Sequence, residues 1–174
     1  RFSFKVKLKT AKFPEPKDLV IAEISPSPLG SSAVWGEFIE IFNRNDSLAI
    51  EIGGVQCGDY VCQERRILQV GERWVVFPGN LPNETGNVVL KNASGKVLDE
   101  VHYSACWHPN RKQAESGFSL VRVDVNGPAQ NSGNWTSSGN VFGASPGTTD
   151  PAEHLDSWSD EPIDTDFDGH LLMH

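Results

Sequence analysis

Near the C-terminus, Asp164-Thr165-Asp166-Phe167-Asp168-Gly169 sets carboxylates at the first, third and fifth positions of a loop, with glycine at the sixth. Hard carboxylate oxygens at this spacing suit a Ca²⁺ shell, and the glycine permits the sharp turn inside it. Asp164, Asp166 and Asp168 are therefore the candidate metal ligands, with calcium as the candidate ion; the twelfth position of such a loop, usually acidic, would be residue 175. An unstructured acidic linker is the competing reading, because low hydrophobicity and unbalanced charge disfavour folding. A second set, Cys57, Cys62 and Cys106 with His102 and His108 close in sequence, offers soft ligands for zinc in Cys₃His geometry. The Cys-x₄-Cys spacing is wider than the usual two-residue knuckle, so one disulfide or reduced, buried thiols compete with it. Cys57 with Cys62 is the local pairing and Cys57 with Cys106 the cross-strand one, and the odd count leaves one sulfur free.

Carboxylate pairs for acid–base work are scarce. Glu37 and Glu40 are the nearest, but three residues apart on a strand they point to opposite faces and cannot flank one substrate bond. Glu40 shares a side with Phe38 and Phe42, which predicts a buried carboxylate hydrogen-bonded to loop amides. The chain has no Gly-x-Ser-x-Gly elbow and no His-Glu-x-x-His, its five histidines fall in loops, strand ends and tail, and its glycine-rich pieces lack the residues of a phosphate loop. Gly53-Gly54 suits a bend or bulge. An enzyme is not expected. Trp35, Trp107 and Trp135 sit in predicted loops and are the candidate ligand-binding residues for a carbohydrate or protein surface, against the alternative that they pack into the end of the fold. Four Asn-x-Ser/Thr sequons, at Asn45, Asn83, Asn92 and Asn134, are compatible with exposed loops.

The elements that must position these residues are short strands. With 174 residues the chain has room for one β-sandwich and flanking segments; its 38% hydrophobic content, 16 Gly and 11 Pro favour short strands and turns over long helices. Leu19-Val20-Ile21-Ala22-Glu23-Ile24 and Glu37-Phe38-Ile39-Glu40-Ile41-Phe42-Asn43 read as buried strands, and Arg73-Trp74-Val75-Val76-Phe77 as another. Asn92-Ala93-Ser94-Gly95 separates Val88–Lys91 from Lys96–Tyr103 and predicts a hairpin; Phe118–Val123 is a last strand. No segment sustains an apolar 3.6-residue repeat, so helix should be scarce. The expected organisation is a basic strand and Pro-containing linker at 1–18, a strand-rich body at 19–149, and an acidic tail at 150–174.

Charge follows the same division. Residues 1–122 carry all 15 Lys and Arg against 14 Asp and Glu, while residues 123–174 carry nine acidic residues and no basic one, giving a net charge of −8. The basic cluster Arg1, Lys5, Lys7, Lys9, Lys12 and Lys17 largely alternates with apolar residues as on a strand with one wet face, so nucleic-acid binding is not favoured. No stretch approaches the ~20 apolar residues of a membrane span. The chain, opening on Arg1 in mid-strand, is expected to be a piece of a longer protein.

Six blocks in order make the body recognisable. Leu19–Ile24, Glu37–Asn43, Ile52-Gly53-Gly54-Val55-Gln56-Cys57-Gly58-Asp59, Leu68–Val76, the hairpin Asn87–Tyr103, and Gly117–Arg122 with Asn134-Trp135-Thr136 and Ser145-Pro146-Gly147 resemble the lamin tail domain of the prokaryotic secreted type. The resemblance covers about residues 19–147; it departs at Cys57, where an aliphatic residue is usual, and in Val61–Arg66. It implies an all-β, immunoglobulin-like sandwich of about seven to nine strands with little helix. It further implies a non-catalytic structural or interaction module of an extracellular or cell-surface protein, mediating adhesion, protein or polysaccharide contact or domain spacing. No required cofactor and no catalytic residues follow from the family.

Overall fold

The computed structural model describes residues 10–154. The basic strand pattern of residues 1–9 and the calcium-type residues Asp164, Asp166 and Asp168 lie outside the described residues.

Period-two alternation of burial marks strands such as Arg73–Val76, while Leu19–Ser25 and Phe38–Asn43 are apolar runs buried on both faces. Seven strands are three or more residues long: β1 (Leu19–Ser25), β2 (Phe38–Asn43), β7 (Arg73–Val76), β8 (Thr85–Lys91), β9 (Val97–Ser104), β10 (Leu120–Arg122) and β11 (Trp135–Ser137). Four are two-residue pairings: β3 (Ile50–Glu51), β4 (Gln56–Cys57), β5 (Tyr60–Val61) and β6 (Ile67–Leu68). One five-residue helix, α1 (Arg111–Glu115), and three 3₁₀ turns complete the described part. The all-β expectation holds, and helix is as scarce as the missing 3.6-residue repeat implies.

Two antiparallel sheets form the sandwich. One runs β11-β10-β1-β2-β7 and the other β5-β4-β8-β9, with β3-β6 as a small ribbon. Between them lies one core, to which β1 gives Leu19, Ile21 and Ile24, β2 gives Ile39 and Ile41, and β8 and β9 give Val88, Leu90, Leu98, Val101 and Tyr103. Each fully buried Leu or Ile contributes roughly 1.5–3 kcal/mol. Cys57 is buried in that core, which explains why an aliphatic position accepts it: the thiol acts as a small hydrophobe.

A bulge makes the pattern of β1 irregular. The β1–β2 register shifts between Ile21 and Glu23, so one residue is inserted and the alternation changes phase. Ile21 and Ile24 both reach the main core, while Val20 and Ala22 join Val125 and Phe42 in a second cluster on the outer face. Glu23 is turned to that outer face, under the chain that follows β11.

The β8–β9 hairpin closes as its sequence suggests. Asn92 Oδ1 accepts hydrogen bonds from the backbone N–H groups of Ser94 and Lys96, and Gly95 takes the left-handed conformation (φ 84°). The outer edge of β9 is also closed. Lys17 N–H donates to Leu98 O, Gln130 Nε2 donates to Glu100 O, and Gln130 Oε1 accepts from His102 N–H. The Gln130 side-chain amide thus stands where a neighbouring strand's peptide group would be.

The folded body reaches past both ends of 19–149. Lys12 N–H donates to Ala49 O and Glu51 N–H to Lys12 O, while Asp150 is buried and Glu153 pairs with Arg73.

Candidate functional site

One end of the sandwich displays four exposed large apolar side chains and a cleft. There β1 and β9 finish and β2, β8 and β10 begin. The β1–β2 connection carries Leu29, the 3₁₀ turn Gly30–Val34 and Trp35. Ser32 Oγ lies within hydrogen-bond distance of Leu29 O, Leu29 N and Gly117 O, which pins this loop to the entry of β10. From the other side Gly143 packs against the Phe118 ring, and Ser119 N–H donates to Gly143 O. Leu29, Val34, Val141 and Phe142 are displayed on these two loops, Val34 79% and Val141 86% exposed.

Beside Leu29 a cleft of about 600 Å³ opens between the β1–β2 loop, the entry to β8 and the turn after β9. Its chemistry comes from Glu84, Cys106, His108 and Arg111, its walls from Leu29, Pro109 and Ala114. His108 is only 9% exposed, and its Nδ1 lies 2.7 Å from Ser137 Oγ. Burial pushes its pKa down to about 4, so the ring is neutral at physiological pH. Arg111 and Glu115 pair at 2.6 Å across one turn of α1.

The tryptophans expected to bind ligand are distributed otherwise. Trp135 is buried, with its Nε1–H donating to Ala129 O, and Trp107 is half-buried against it, ring centroids 6.0 Å apart. Both belong to the core at this end of the sandwich, since a large apolar ring is most stable out of water with its N–H satisfied. Trp35, half-buried, is the one of the three held in the exposed loop.

The cysteines do not act together. Cys57 and Cys62 are buried and Cys106 is exposed, and all three are free thiols. Cys62 donates weakly to Glu64 O, and burial pushes the Cys57 thiol up to about 12. His102 is exposed on β9 near Glu100. Among the described residues no group of three or more His, Cys, Asp and Glu side chains is arranged to hold a metal ion. Of the four sequons, Asn83 is exposed, Asn45 and Asn92 are half-buried in hydrogen-bonded turns, and Asn134 is fully buried. The surface position expected for Asn134 is thus corrected: its amide donates to Asp124 O and Pro128 O and ties the loop before β11 together.

The strongest electrostatic perturbations are internal. Glu40 accepts from Arg73 and from the backbone N–H of Gly147, as its position predicted, and Arg73 also pairs with Glu153. Burial, reinforced by Glu153 sharing the same guanidinium, pushes Glu40 up to about 7 against the pull of Arg73. Glu37, on the other face, accepts instead from Leu81 N–H. Glu23 accepts from Ser119 Oγ and Ser145 N–H, and burial pushes it up to about 7 as well, the nearby Glu40 and Asp150 adding to the effect. Asp99 accepts from Arg122, Lys17 and the backbone N–H of Ile21. Raised carboxylates often mark active sites, but Glu23 and Glu40 are sealed from solvent and do not line the cleft beside Leu29. They hold the scaffold.

Sequence reasoning found Glu40 from its place among apolar neighbours. It missed Glu23, Asp99 and Arg122, and it missed the cleft, whose walls come from segments far apart in the chain.

No curated protein and no solved structure matches the chain. The family model of the lamin tail domain matches residues 13–105, more than half of the chain, from the segment before β1 to the end of β9. With its two antiparallel sheets and single shared core, the chain belongs to the lamin tail domain family.

Proposed function

We propose that this chain is a non-catalytic contact module of a larger extracellular or cell-surface protein, and that it works by holding another protein. The family is one of non-enzymatic immunoglobulin-like domains, and no helix among the described residues is long and apolar enough to cross a membrane. The observation that carries the reading is that Leu29, Val34, Val141 and Phe142 are all exposed on two loops braced against the entry of β10 at the same end of the sandwich. Large apolar side chains concentrated on rigidly supported loops are the ordinary signature of a contact surface. A sugar platform built from tryptophans is less well supported, since Trp107 and Trp135 pack inward. The Asp164, Asp166 and Asp168 pattern supports, from sequence alone, a calcium-holding segment after the module.

The test is site-specific photo-crosslinking in the parent protein on its own cells. A photoreactive residue at Val34 or Phe142 should capture one and the same protein, and the same residue at Val97, at the opposite end of β9, should capture nothing. Equal capture at Val97, or none at Val34 and Phe142, would sink the reading.

A further inference from the structure

We propose that the cleft beside Leu29 binds the backbone of an extended peptide segment of the partner protein, with His108 Nε2–H donating to a peptide carbonyl and Glu84 accepting a peptide N–H. This deepens the contact-module reading and rests on it for the source of the peptide.

The first step is the tautomer of His108. The Ser137 hydroxyl is buried, and among the described residues its one hydrogen-bond partner is His108 Nδ1, at 2.7 Å. If Nδ1 carried the proton, the hydroxyl would accept, and its own hydrogen would be buried with nothing to receive it. If the hydroxyl donates to a bare Nδ1, both groups are satisfied. The ring proton therefore sits on Nε2. That nitrogen has no partner among the described residues, and it is not one of the unpartnered atoms sealed from solvent. His108 lines the cleft, so its mostly buried ring offers the cleft one fixed, uncharged donor.

The second step is charge. Arg111 and Glu115 neutralise each other at the rim, whereas Glu84 makes no ion pair among the described residues. Arg111 also feels the charge of Glu84, but one guanidinium against the two carboxylates Glu84 and Glu115 leaves the cleft net negative, which repels a carboxylate ligand, and a simple cation would leave the His108 N–H unmatched. A secondary amide supplies both an acceptor and a donor. The third step is the walls. Leu29, Ala105, Pro109 and Ala114 are apolar, and apart from the His108 ring no aromatic face lines the cleft, so it offers apolar walls to small peptide side chains and no stacking platform to an acetamido sugar. At about 600 Å³ the cleft is of ordinary size for a ligand site.

The experiment is an NMR titration of the full chain, ¹⁵N-labelled including its histidine rings, with N-acetyl-trialanine N-methylamide. Acetate, methylammonium and a disaccharide of N-acetylglucosamine serve as separate arms. The expected result is a saturable shift of the His108 Nε2–H and of the backbone amides of Ala105–Arg111 with the blocked peptide alone. Glu84→Gln, at an exposed position, should weaken that binding about tenfold with the fold intact. His108→Phe should abolish it, its fold checked by the unchanged amide spectrum of β1 and β2. A ring proton on Nδ1, a response to the disaccharide and not to the peptide, or no response to any probe would overturn the proposal. Crosslinking at Val34 and Phe142 with a silent cleft would refute the peptide site and leave the contact module standing. A cleft that binds peptide beside crosslinks that fail would do the reverse.

Discussion

Replacing Glu23 by Gln should make the protein more stable at alkaline pH and leave it almost unchanged in acid. Ser145 Oγ lies 3.1 Å from Glu23 Oε2 and 2.7 Å from Asp150 Oδ2, yet a hydroxyl has one hydrogen to give. One of the two contacts therefore needs a proton from a carboxyl group. Asp150 already receives donors from Ser138 Oγ, Gly139 N and Ala152 N, so the extra proton rests on Glu23, which then donates to Ser145 while Ser145 donates to Asp150. With its ordinary pKa of 4.5 raised to about 7 on folding, Glu23 keeps in the folded state a proton that the unfolded chain releases between those values. Stability from this group is complete below pH 4.5 and is lost as the pH rises through 7, by about 1.4 kcal/mol per pH unit within that window. The total is about 3 kcal/mol. Gln presents the same neutral shape, its amide N–H replacing the acid proton toward Ser145. Urea unfolding at pH 4, 5.5, 7 and 8.5 should give a difference between Glu23→Gln and the parent that is near zero at pH 4 and grows to about 3 kcal/mol by pH 8.5. Glu40 titrates in the same range and is common to both proteins, so only its repulsion of Glu23, already part of the Glu23 shift, enters the difference. A difference independent of pH, or a variant less stable at pH 8.5, would refute the shared-proton reasoning.

Three further outcomes follow. Arg122→Met should cost about 3–5 kcal/mol in urea unfolding, because it strips Asp99 of its buried partner, and the double variant with Asp99→Leu should recover only part, since Asp99 also holds the Ile21 N–H. Gln130→Ala should reopen the outer edge of β9 and appear as concentration-dependent self-association in sedimentation, and a variant that stays monomeric would refute the plug. Gly117→Ala should destabilise by about 2 kcal/mol or more in thermal unfolding, because a Cβ there would overlap the backbone N of Leu29 on a backbone at φ 81°.

The sandwich was legible because its signal is local. Period-two alternation in β8 and β9 and the Asn92–Gly95 turn announce the hairpin residue by residue, and Glu40 betrays itself by standing between two phenylalanines. Glu23 was not legible, because the Ala22 bulge changes the phase of β1 and nothing in Leu19–Ile24 marks it. Asp99 and Arg122 each sit in ordinary strand contexts, and only the sheet topology brings them to 2.8 Å. Trp107 and Trp135 read as loop residues because one ends a 3₁₀ turn and the other opens a three-residue strand, and a tryptophan in such a setting carries no sign of which way its ring will turn. The cleft depends on three segments from residues 27–29, 83–84 and 105–115, an assembly no single stretch of sequence encodes.

The segment after β11 has a consequence for synthesis. Glu23, Glu40 and Arg73 belong to the first half of the chain, but the groups that satisfy them, Ser145, Gly147, Asp150 and Glu153, are among the last described residues to leave the ribosome. Until they emerge, β1 and β2 would have to bury acids with nothing to bond them, so the nascent sandwich has a reason to stay open or hydrated. Completion of the module is therefore coupled to the synthesis of residues 145–153, and a ribosome paused just before residue 153 would hold a chain that has all the described strands and lacks its final state.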